Sequence, residues 1–206
     1  AAYSFDENQG TVAHDSTGNH DGTIEGGASW SGEGKYGSAL DFNGTNGLVK
    51  IADANDLDLT KAFTLEAWVR PDTLAKWNPA IAKLKGGPLS GYLLAASGNQ
   101  ATPAPPAGFT ANNGSINGVN GSAALTTGTW SHLAVTYDAT NLRLYLNGEL
   151  LATHSAVTAQ ANSGELTIGY SSYLATYFDG KIDEVRVYDE ALDQGEIQLD
   201  KGEAIS

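Results

Sequence analysis

The sequence predicts an all-β domain, a sandwich or a jelly roll. The segment 129–155 carries the clearest evidence, because apolar and polar side chains alternate there with the period of two that a half-buried strand requires. Asn147-Gly148 divides this segment, and both residue types tolerate the positive φ of a two-residue hairpin turn. About a dozen short strands, with one helical candidate at residues 189–201, indicate an all-β fold with a short C-terminal helix.

The strands follow one another along a chain of 206 residues, which is an ordinary length for a single β domain. Residues 63–70 alternate regularly and end at Pro71, whereas residues 97–128 are rich in Gly, Asn, Ala and Pro and give the weakest pattern. We therefore expect one domain, residues 1–206. The predicted strands cover residues 2–5, 38–42, 48–51, 63–70, 80–84, 92–96, 108–111, 115–119, 131–137, 142–146, 149–154, 165–169 and 178–188.

The composition excludes several classes of function. A formal net charge of −13 argues against binding to nucleic acid or to anionic lipid surfaces. No apolar run reaches the roughly 18 residues of a membrane span, so we expect no membrane insertion. The chain has no cysteine, which excludes disulfides and thiolate zinc sites. It begins at Ala1 without a visible signal peptide, and we expect a mature or excised fragment.

Residues 6–22 form a long polar segment with almost no core-forming side chains. Oxygen-bearing side chains stand there at every second position: Asp15, Thr17, Asn19 and Asp21. Hard cations such as calcium prefer oxygen ligands of this kind. The pattern is not an EF-hand, because Gly26 stands where the bidentate glutamate belongs and no helices flank the loop. A different calcium loop stays open, and residues 53–60 are either a solvated turn or a second cation site.

Motifs that would indicate catalysis are missing or out of context. Residues 32–37 match G-x-G-x-x-G, but a strand at 38–42 follows them where a nucleotide-binding loop needs a helix. No pair of carboxylates with the spacing of a glycoside hydrolase lies on one strand face. The segment 169–173 lacks the final glycine of a serine-hydrolase motif. His14 and His20 allow a zinc pair, although two solvated loop histidines are the simpler interpretation. We predict that the chain is not an enzyme.

Four stretches together resemble a known family. They are YGSALDFNG (36–44), FTLEAWVRP (63–71), WSHLAVTYD with LRLYLNGEL (130–150) and IGYSSYLATYFDGKIDEVRVYDEAL (168–192). In this order they resemble the laminin-G-like, concanavalin A-like jelly-roll domains of bacterial secreted proteins. The resemblance implies a sandwich of two curved antiparallel sheets with adjacent N- and C-terminal strands. It also implies one structural calcium ion near that junction and, in many relatives, glycan binding.

The resemblance places the calcium ion between the N-terminal polar loop and the last strand. The implied ligands are Asp6, Asp15, Asn19, the carbonyl of Gly22 and Asp183. Strand alternation gives independent support, because it puts Asp183 on one face with Val185 and Val187, where a carboxylate needs a partner to offset desolvation. The alternative is that Asp183 only caps a loop by accepting backbone N–H bonds.

Sugar-binding sites combine aromatic platforms with a few polar groups. Trp77 interrupts any strand alternation, and Tyr170, Tyr173 and Tyr177 share one aromatic loop. For each tyrosine, packing in the core or at the sandwich edge is the competing interpretation. The candidate ligand-binding residues are Trp77, Asn78, Tyr92, Asn99, Tyr170, Tyr173 and Tyr177.

These observations predict a two-sheet antiparallel jelly-roll sandwich with a short C-terminal helix. We predict a non-catalytic, calcium-stabilised carbohydrate-binding module, monomeric, within a secreted or cell-surface multidomain microbial protein. One alternative is an adhesion or structural module that recognises another protein or spaces domains. Another is a glycoside hydrolase or lyase on the same fold with an unrecognised site.

Overall fold

The computed structural model describes residues 1–74, 77–98, 103–155 and 158–206. The described chain contains short strands, one 3₁₀ turn (Asn55–Leu57) and one helix, α1 (Gln194–Gly202). The strands are β1 (Ala2–Tyr3), β2 (Val12–Ala13), β3 (Gly22–Glu25), β4 (Ala28–Ser31), β5 (Ala39–Asn43), β6 (Leu48–Ile51), β7 (Phe63–Pro71), β8 (Asn78–Lys85), β9 (Ser90–Ser97), β10 (Ala107–Asn112), β11 (Ser115–Asn120), β12 (Ser131–Tyr137), β13 (Asn141–Leu146), β14 (Glu149–Ser155), β15 (Leu166–Ile168), β16 (Tyr170–Ser171), β17 (Thr176–Tyr177) and β18 (Asp179–Tyr188).

Two large antiparallel sheets form the sandwich. The first, here the β7 sheet, has the order β14-β13-β12-β7-β18-β5-β4, and β1 pairs with β18 beside this path. The second, here the β8 sheet, has the order β11-β10-β9-β8-β15-β6-β3-β2. The first and last strands are therefore neighbours, as the resemblance implied. This architecture confirms the predicted all-β jelly-roll sandwich.

Alternation along the strands places the core between the sheets. In β7, Phe63 and Leu65 are fully buried core residues, and Phe63 lies between two tyrosine rings. Its ring centroid is 5.2 Å from that of Tyr92 and 5.3 Å from that of Tyr137. The hydroxyl of Tyr92 donates to the carbonyl of Leu57 at 2.9 Å. Tyr92 is thus a core residue, and its assignment as a sugar-binding residue is wrong.

The C-terminal segment covers the outer face of the β7 sheet. Helix α1 is capped by Asp193, whose carboxylate accepts from the Glu196 backbone N–H while Glu196 bonds back to the Asp193 N–H. The predicted helix at 189–201 therefore begins at Gln194, after this cap. Ile197 packs with Leu192 against side chains of β12 and β13. No described helix is long and apolar enough to cross a membrane.

Strand β18 contains a bulge that sequence alternation did not predict. Its register against β7 shifts between Asp183, which pairs with Trp68, and Arg186, and Glu184 has a φ of 52°. Asp183 therefore lies on the outer face with Trp68, while Val185 faces the core. The expectation that Asp183 and Val185 share one face is wrong, because the extra residue reverses the alternation.

Candidate ligand-binding groove

A groove of about 450 Å³ lies on the outer face of the β8 sheet, where β3, β6, β8 and β15 run side by side. Lys50 on β6 pairs with Thr167 on β15, and both line the groove. Their neighbours Ile51 and Leu166 pair with each other on the opposite face and belong to the core. The period of two thus builds the core on one side of these strands and the groove on the other.

A stacked pair of tyrosines adjoins the groove. Tyr170 and Tyr177 are cross-strand partners in the β16–β17 hairpin, with ring centroids 4.4 Å apart and an interplanar angle of 24°. The Thr167 hydroxyl donates to the carbonyl of Tyr170 at 2.7 Å or to that of Ala82 at 3.0 Å, which fixes the hairpin to the sheet. Tyr170 lines the groove, and its partner holds the ring in place. The stacking therefore fixes the orientation of the Tyr170 ring at the edge of the groove.

Tyr170 keeps its hydroxyl proton at neutral pH. Burial raises the pKa of Tyr170, and the neighbouring Tyr177 raises it further. A protonated phenol both donates and accepts hydrogen bonds. Tyr173 stands at the hairpin tip with 47 % of its surface exposed. The structure thus gathers the three predicted tyrosines on one hairpin, with Tyr170 facing the groove.

Two lysines and two glutamates line the groove, and one of each forms an ion pair. Lys50 Nζ lies 3.0 Å from Glu165 Oε1, and both side chains are well exposed, at 39 % and 49 %. The hydrogen bond to Glu165 raises the pKa of Lys50, and Glu25 adds to this effect. Lys85 Nζ donates to Ser163 Oγ at 2.6 Å. The groove therefore offers donors and acceptors with balanced charge, although the chain carries a net charge of −13.

Trp77 lies in a second apolar cluster on the same outer face. Its ring meets Phe109 edge-on, with centroids 6.1 Å apart and an interplanar angle of 89°. Leu174 from the β16–β17 hairpin packs on the same cluster, and Leu84 belongs both to the cluster and to the lining of the groove. Trp77 is half-buried.

Asn78 does not line the groove. The side chain of Asn78 is buried, accepts from the Asp179 N–H at 2.9 Å and donates to the Thr73 carbonyl at 2.8 Å. Its assignment to sugar binding is wrong, because these bonds already occupy the buried amide and connect β18 to the loop after β7. Asn99 lies outside the described residues.

Asp15, a predicted calcium ligand, organises the N-terminal loop through hydrogen bonds. Its buried carboxylate accepts from the backbone N–H groups of Ala2 at 2.7 Å, Thr17 at 3.0 Å and His20 at 3.1 Å. The Thr17 hydroxyl adds a bond of 2.5 Å. Burial acts to raise the pKa of Asp15, but these bonds hold it below its usual value. Asn19 belongs to the same loop, where its amide donates to the Thr17 carbonyl.

Asp183 and Asp6 hold a different segment. Asp183 Oδ2 accepts from the backbone N–H groups of Lys35 at 2.7 Å and Tyr36 at 3.0 Å, and its Oδ1 accepts from the Glu184 N–H at 2.9 Å. Burial raises the pKa of Asp183 to about 7 against the effect of these bonds. Asp6 Oδ1 accepts from the backbone N–H of Ser38 at 2.7 Å. Both carboxylates therefore fix the segment 35–38.

The predicted calcium ligands thus fall into two hydrogen-bonded groups. Gly22 belongs to neither group: it lies in β3 against Val49, whose Cγ1 would be 2.4 Å from an added Cβ. In the described part of the chain, no three acidic or histidine side chains are close enough to hold a metal ion. The residues do not fit the single site that the resemblance implied. Calcium binding stays a prediction, and nothing in the groove depends on it.

A buried acid and a buried histidine lie beneath the C-terminal segment, and sequence reasoning missed this pair. Glu66 Oε2 and His132 Nε2 are 3.6 Å apart, and neither side chain has any exposed surface. Burial raises the pKa of Glu66 to about 8 and lowers that of His132 to about 3. Both groups are therefore largely uncharged at neutral pH. They lie on the outer face of the β7 sheet, and the covering segment keeps them away from solvent.

Residues 43–198 match the profile of the concanavalin A-like lectin/glucanases superfamily. The chain belongs to this superfamily. No curated protein sequence matches it.

Solved structures of binding domains share the fold. Domain 4 of AbnA, a GH43 extracellular arabinanase from Geobacillus stearothermophilus solved with arabinotriose, has a TM-score of 0.78 and 23 % identity, and the match covers 98 % of this chain and 97 % of that one. The binding domain of Paraclostridial Mosquitocidal Protein 1 has a TM-score of 0.76 and 13 % identity, and the match covers 96 % of this chain and 50 % of that one. Botulinum neurotoxin type C, whose cell entry depends on interaction with two ganglioside molecules, has a TM-score of 0.72 and 15 % identity, and the match covers 98 % of this chain and 50 % of that one. The present chain spans about half the length of these toxin chains.

Proposed function

We propose that this chain is a non-catalytic carbohydrate-binding module and that the groove on the outer face of the β8 sheet is its sugar site. The observation that carries the proposal is the stacked Tyr170–Tyr177 pair beside a groove lined by charged and hydroxyl side chains. The C–H face of a sugar ring packs on such an aromatic surface. Lys50 and Glu165 provide a donor and an acceptor for sugar hydroxyls.

The charge balance of the groove favours an uncharged glycan. The lining holds two lysines and two glutamates and so has no net charge: Lys50 is paired with Glu165, and Lys85, which is bonded to Ser163, is balanced by Glu25 in the same lining. The net charge of −13 also repels anionic polysaccharides at long range. The solved relatives include a domain complexed with arabinotriose. We propose that the module acts outside the cell as part of a larger chain.

The test compares two tyrosines of one hairpin. A glycan array identifies a ligand among uncharged oligosaccharides, and calorimetry then measures its Kd for wild type, Tyr170→Ala and Tyr173→Ala. Loss of the platform removes apolar burial of about 1.5–3 kcal/mol, so Tyr170→Ala should weaken binding about 10- to 100-fold. Tyr173→Ala, at the exposed tip, should bind as wild type does.

Other outcomes would redirect the assignment. Normal affinity in Tyr170→Ala together with a loss in Trp77→Ala would move the site to the Trp77 cluster. Release of reducing ends from a polysaccharide would show that the chain is an enzyme. Binding to no glycan on the array would contradict the proposed function.

Protein recognition is the second candidate function. Ile116 on β11 and Leu150 and Leu151 on β14 are exposed apolar side chains on edge strands that contact each other. Clusters of exposed apolar surface mark protein interfaces in soluble domains. This candidate would be favoured if the chain binds no glycan but can be crosslinked to another protein, and if the crosslink is lost when Leu150 and Leu151 are replaced.

A further inference from the structure

Lys83 is a lysine buried at the end of the core. It lies on β8 opposite Tyr92, only 1 % of its surface is exposed, and its ammonium group is surrounded by oxygen atoms. Nζ lies 2.7 Å from Asp53 Oδ1 and 3.0 Å from Asp58 Oδ1. It also donates to the carbonyls of Asn162 at 2.6 Å and Gly164 at 2.9 Å. Burial of an ammonium group is strongly unfavourable unless such partners compensate.

These four oxygen atoms come from two loops that the lysine joins. The first loop holds Asp53 and Asp58, and the second includes residues 162–164. The Asn162 N–H also donates to Asp58 Oδ1 at 3.3 Å, and the Gly164 N–H donates to Asn162 Oδ1 at 2.8 Å. Residues 163–165 line the groove. The contacts of one ammonium group therefore determine where this rim of the groove lies.

We propose that Lys83 is a built-in cation, a positioning residue that holds the 162–165 rim of the groove where a bound hard metal ion would otherwise be needed. Two carboxylates and two backbone carbonyls are the oxygen ligands that calcium takes in proteins. Lys83 satisfies them without any metal. Only the description of residues 162–165 as the rim of a sugar site rests on the proposed function.

The proposal predicts that removing the ammonium group creates a metal site. In Lys83→Ala the four oxygen atoms still converge, and the space left by the side chain admits an ion with its remaining water ligands. In Lys83→Met an uncharged chain of similar length fills that space and excludes the ion. Lys61→Ala removes the same charge from an exposed position and serves as the control.

The experiment measures melting temperatures of the four proteins in EGTA and in millimolar calcium chloride. Both Lys83 variants should melt well below wild type in EGTA. Calcium should raise the melting temperature of Lys83→Ala by about 5–10 °C when it exceeds the Kd about 100-fold. The shift in Lys83→Met should be no larger than in wild type and Lys61→Ala.

Amide hydrogen exchange tests the position of the rim without any sugar. Protection of the Asn162 and Gly164 amides should fall at least about tenfold in both Lys83 variants in EGTA. Calcium should restore it only in Lys83→Ala. If the variants do not fold in EGTA, calcium-dependent folding of Lys83→Ala alone supports the proposal. The proposal would be overturned if the two variants respond equally to calcium or if Lys83→Ala does not respond at all. It would also be overturned if Lys83→Ala melts as wild type does.

Discussion

Glu66→Gln should make the protein less sensitive to alkaline pH. Glu66 is fully buried beneath the C-terminal segment, and neither of its oxygens has a hydrogen-bond partner in the described structure. Burial is the main cause that raises its pKa from 4.5 to about 8, with Asp200 adding to the rise and Arg186 opposing it. A neutral amide of the same size does not need to keep a proton. The variant therefore isolates the titration of this carboxyl group.

The sign follows from proton linkage. Below pH 4.5 both the folded and the unfolded chain hold the Glu66 proton, and the folded state is not penalised. Between pH 4.5 and about 8 the unfolded chain loses this proton while the folded chain keeps it, so stability falls. At about 1.36 kcal/mol per pKa unit, the loss over this range is on the order of 4–5 kcal/mol. His132, with its pKa lowered to about 3, contributes the opposite slope, but only below pH 6.5.

Urea denaturation at several pH values between 5 and 8.5 measures this effect. We expect the free energy of unfolding of Glu66→Gln, relative to wild type, to increase by about 4 kcal/mol across that range. Glu190→Gln changes an exposed carboxyl and should follow wild type. Parallel curves for Glu66→Gln and wild type would refute the reasoning, because they would show that Glu66 titrates in the folded protein as it does in the unfolded chain.

Two further predictions concern the carboxylates that hold loops. Asp183→Ala removes acceptors from three backbone N–H groups and should lower the free energy of unfolding by about 3 kcal/mol or more. Urea denaturation measures this, and a change below about 1 kcal/mol would contradict it. Asp15→Ala should destabilise by about 2–3 kcal/mol and release the loop 15–20 first, seen as faster exchange of the His20 amide. Unchanged exchange would show that Asp15 does not organise the loop.

Local signals made much of the fold predictable. Asn147 and Gly148 take φ values of 53° and 81°, so the predicted hairpin turn is confirmed together with its strands β13 and β14. The long alternating strands β7 and β12 were equally clear. The two-residue strands β16 and β17 were missed, because no periodicity is visible over so short a run and the segment appeared to be an aromatic loop.

Positions where two signals compete were not predictable. In β8, Ile81 and Lys83 face the core while Leu84 faces outward, so neither face of the strand is uniformly polar. Only the distant loop oxygens explain a buried lysine there. Glu66 was unremarkable in sequence, because its burial depends on a helix more than a hundred residues away. Tyr92 could have been assigned to the core, since it alternates with Leu94 on one face of β9.

The calcium prediction illustrates the same limit. Carboxylates spaced in sequence allow either a metal site or loop-capping hydrogen bonds, and only the folded geometry shows which partners each oxygen has. Asp183 accepts three backbone bonds here, which is the alternative that the sequence left open. The bulge at Glu184 decided its environment, and a bulge has no signature in a single sequence.

The groove on the outer face of the β8 sheet, which Tyr170 lines, is proposed to bind an uncharged glycan. Chemical shift mapping of the labelled protein with a panel of uncharged oligosaccharides, arabinotriose among them, tests it most directly. We predict that the largest chemical shift changes fall on Tyr170, Lys50 and Glu165. Because the sugar is uncharged and salt screens only interactions between charges, these changes should be the same in about 0.5 M salt. Shifts confined to other surfaces, or no shifts with any sugar, would contradict the account.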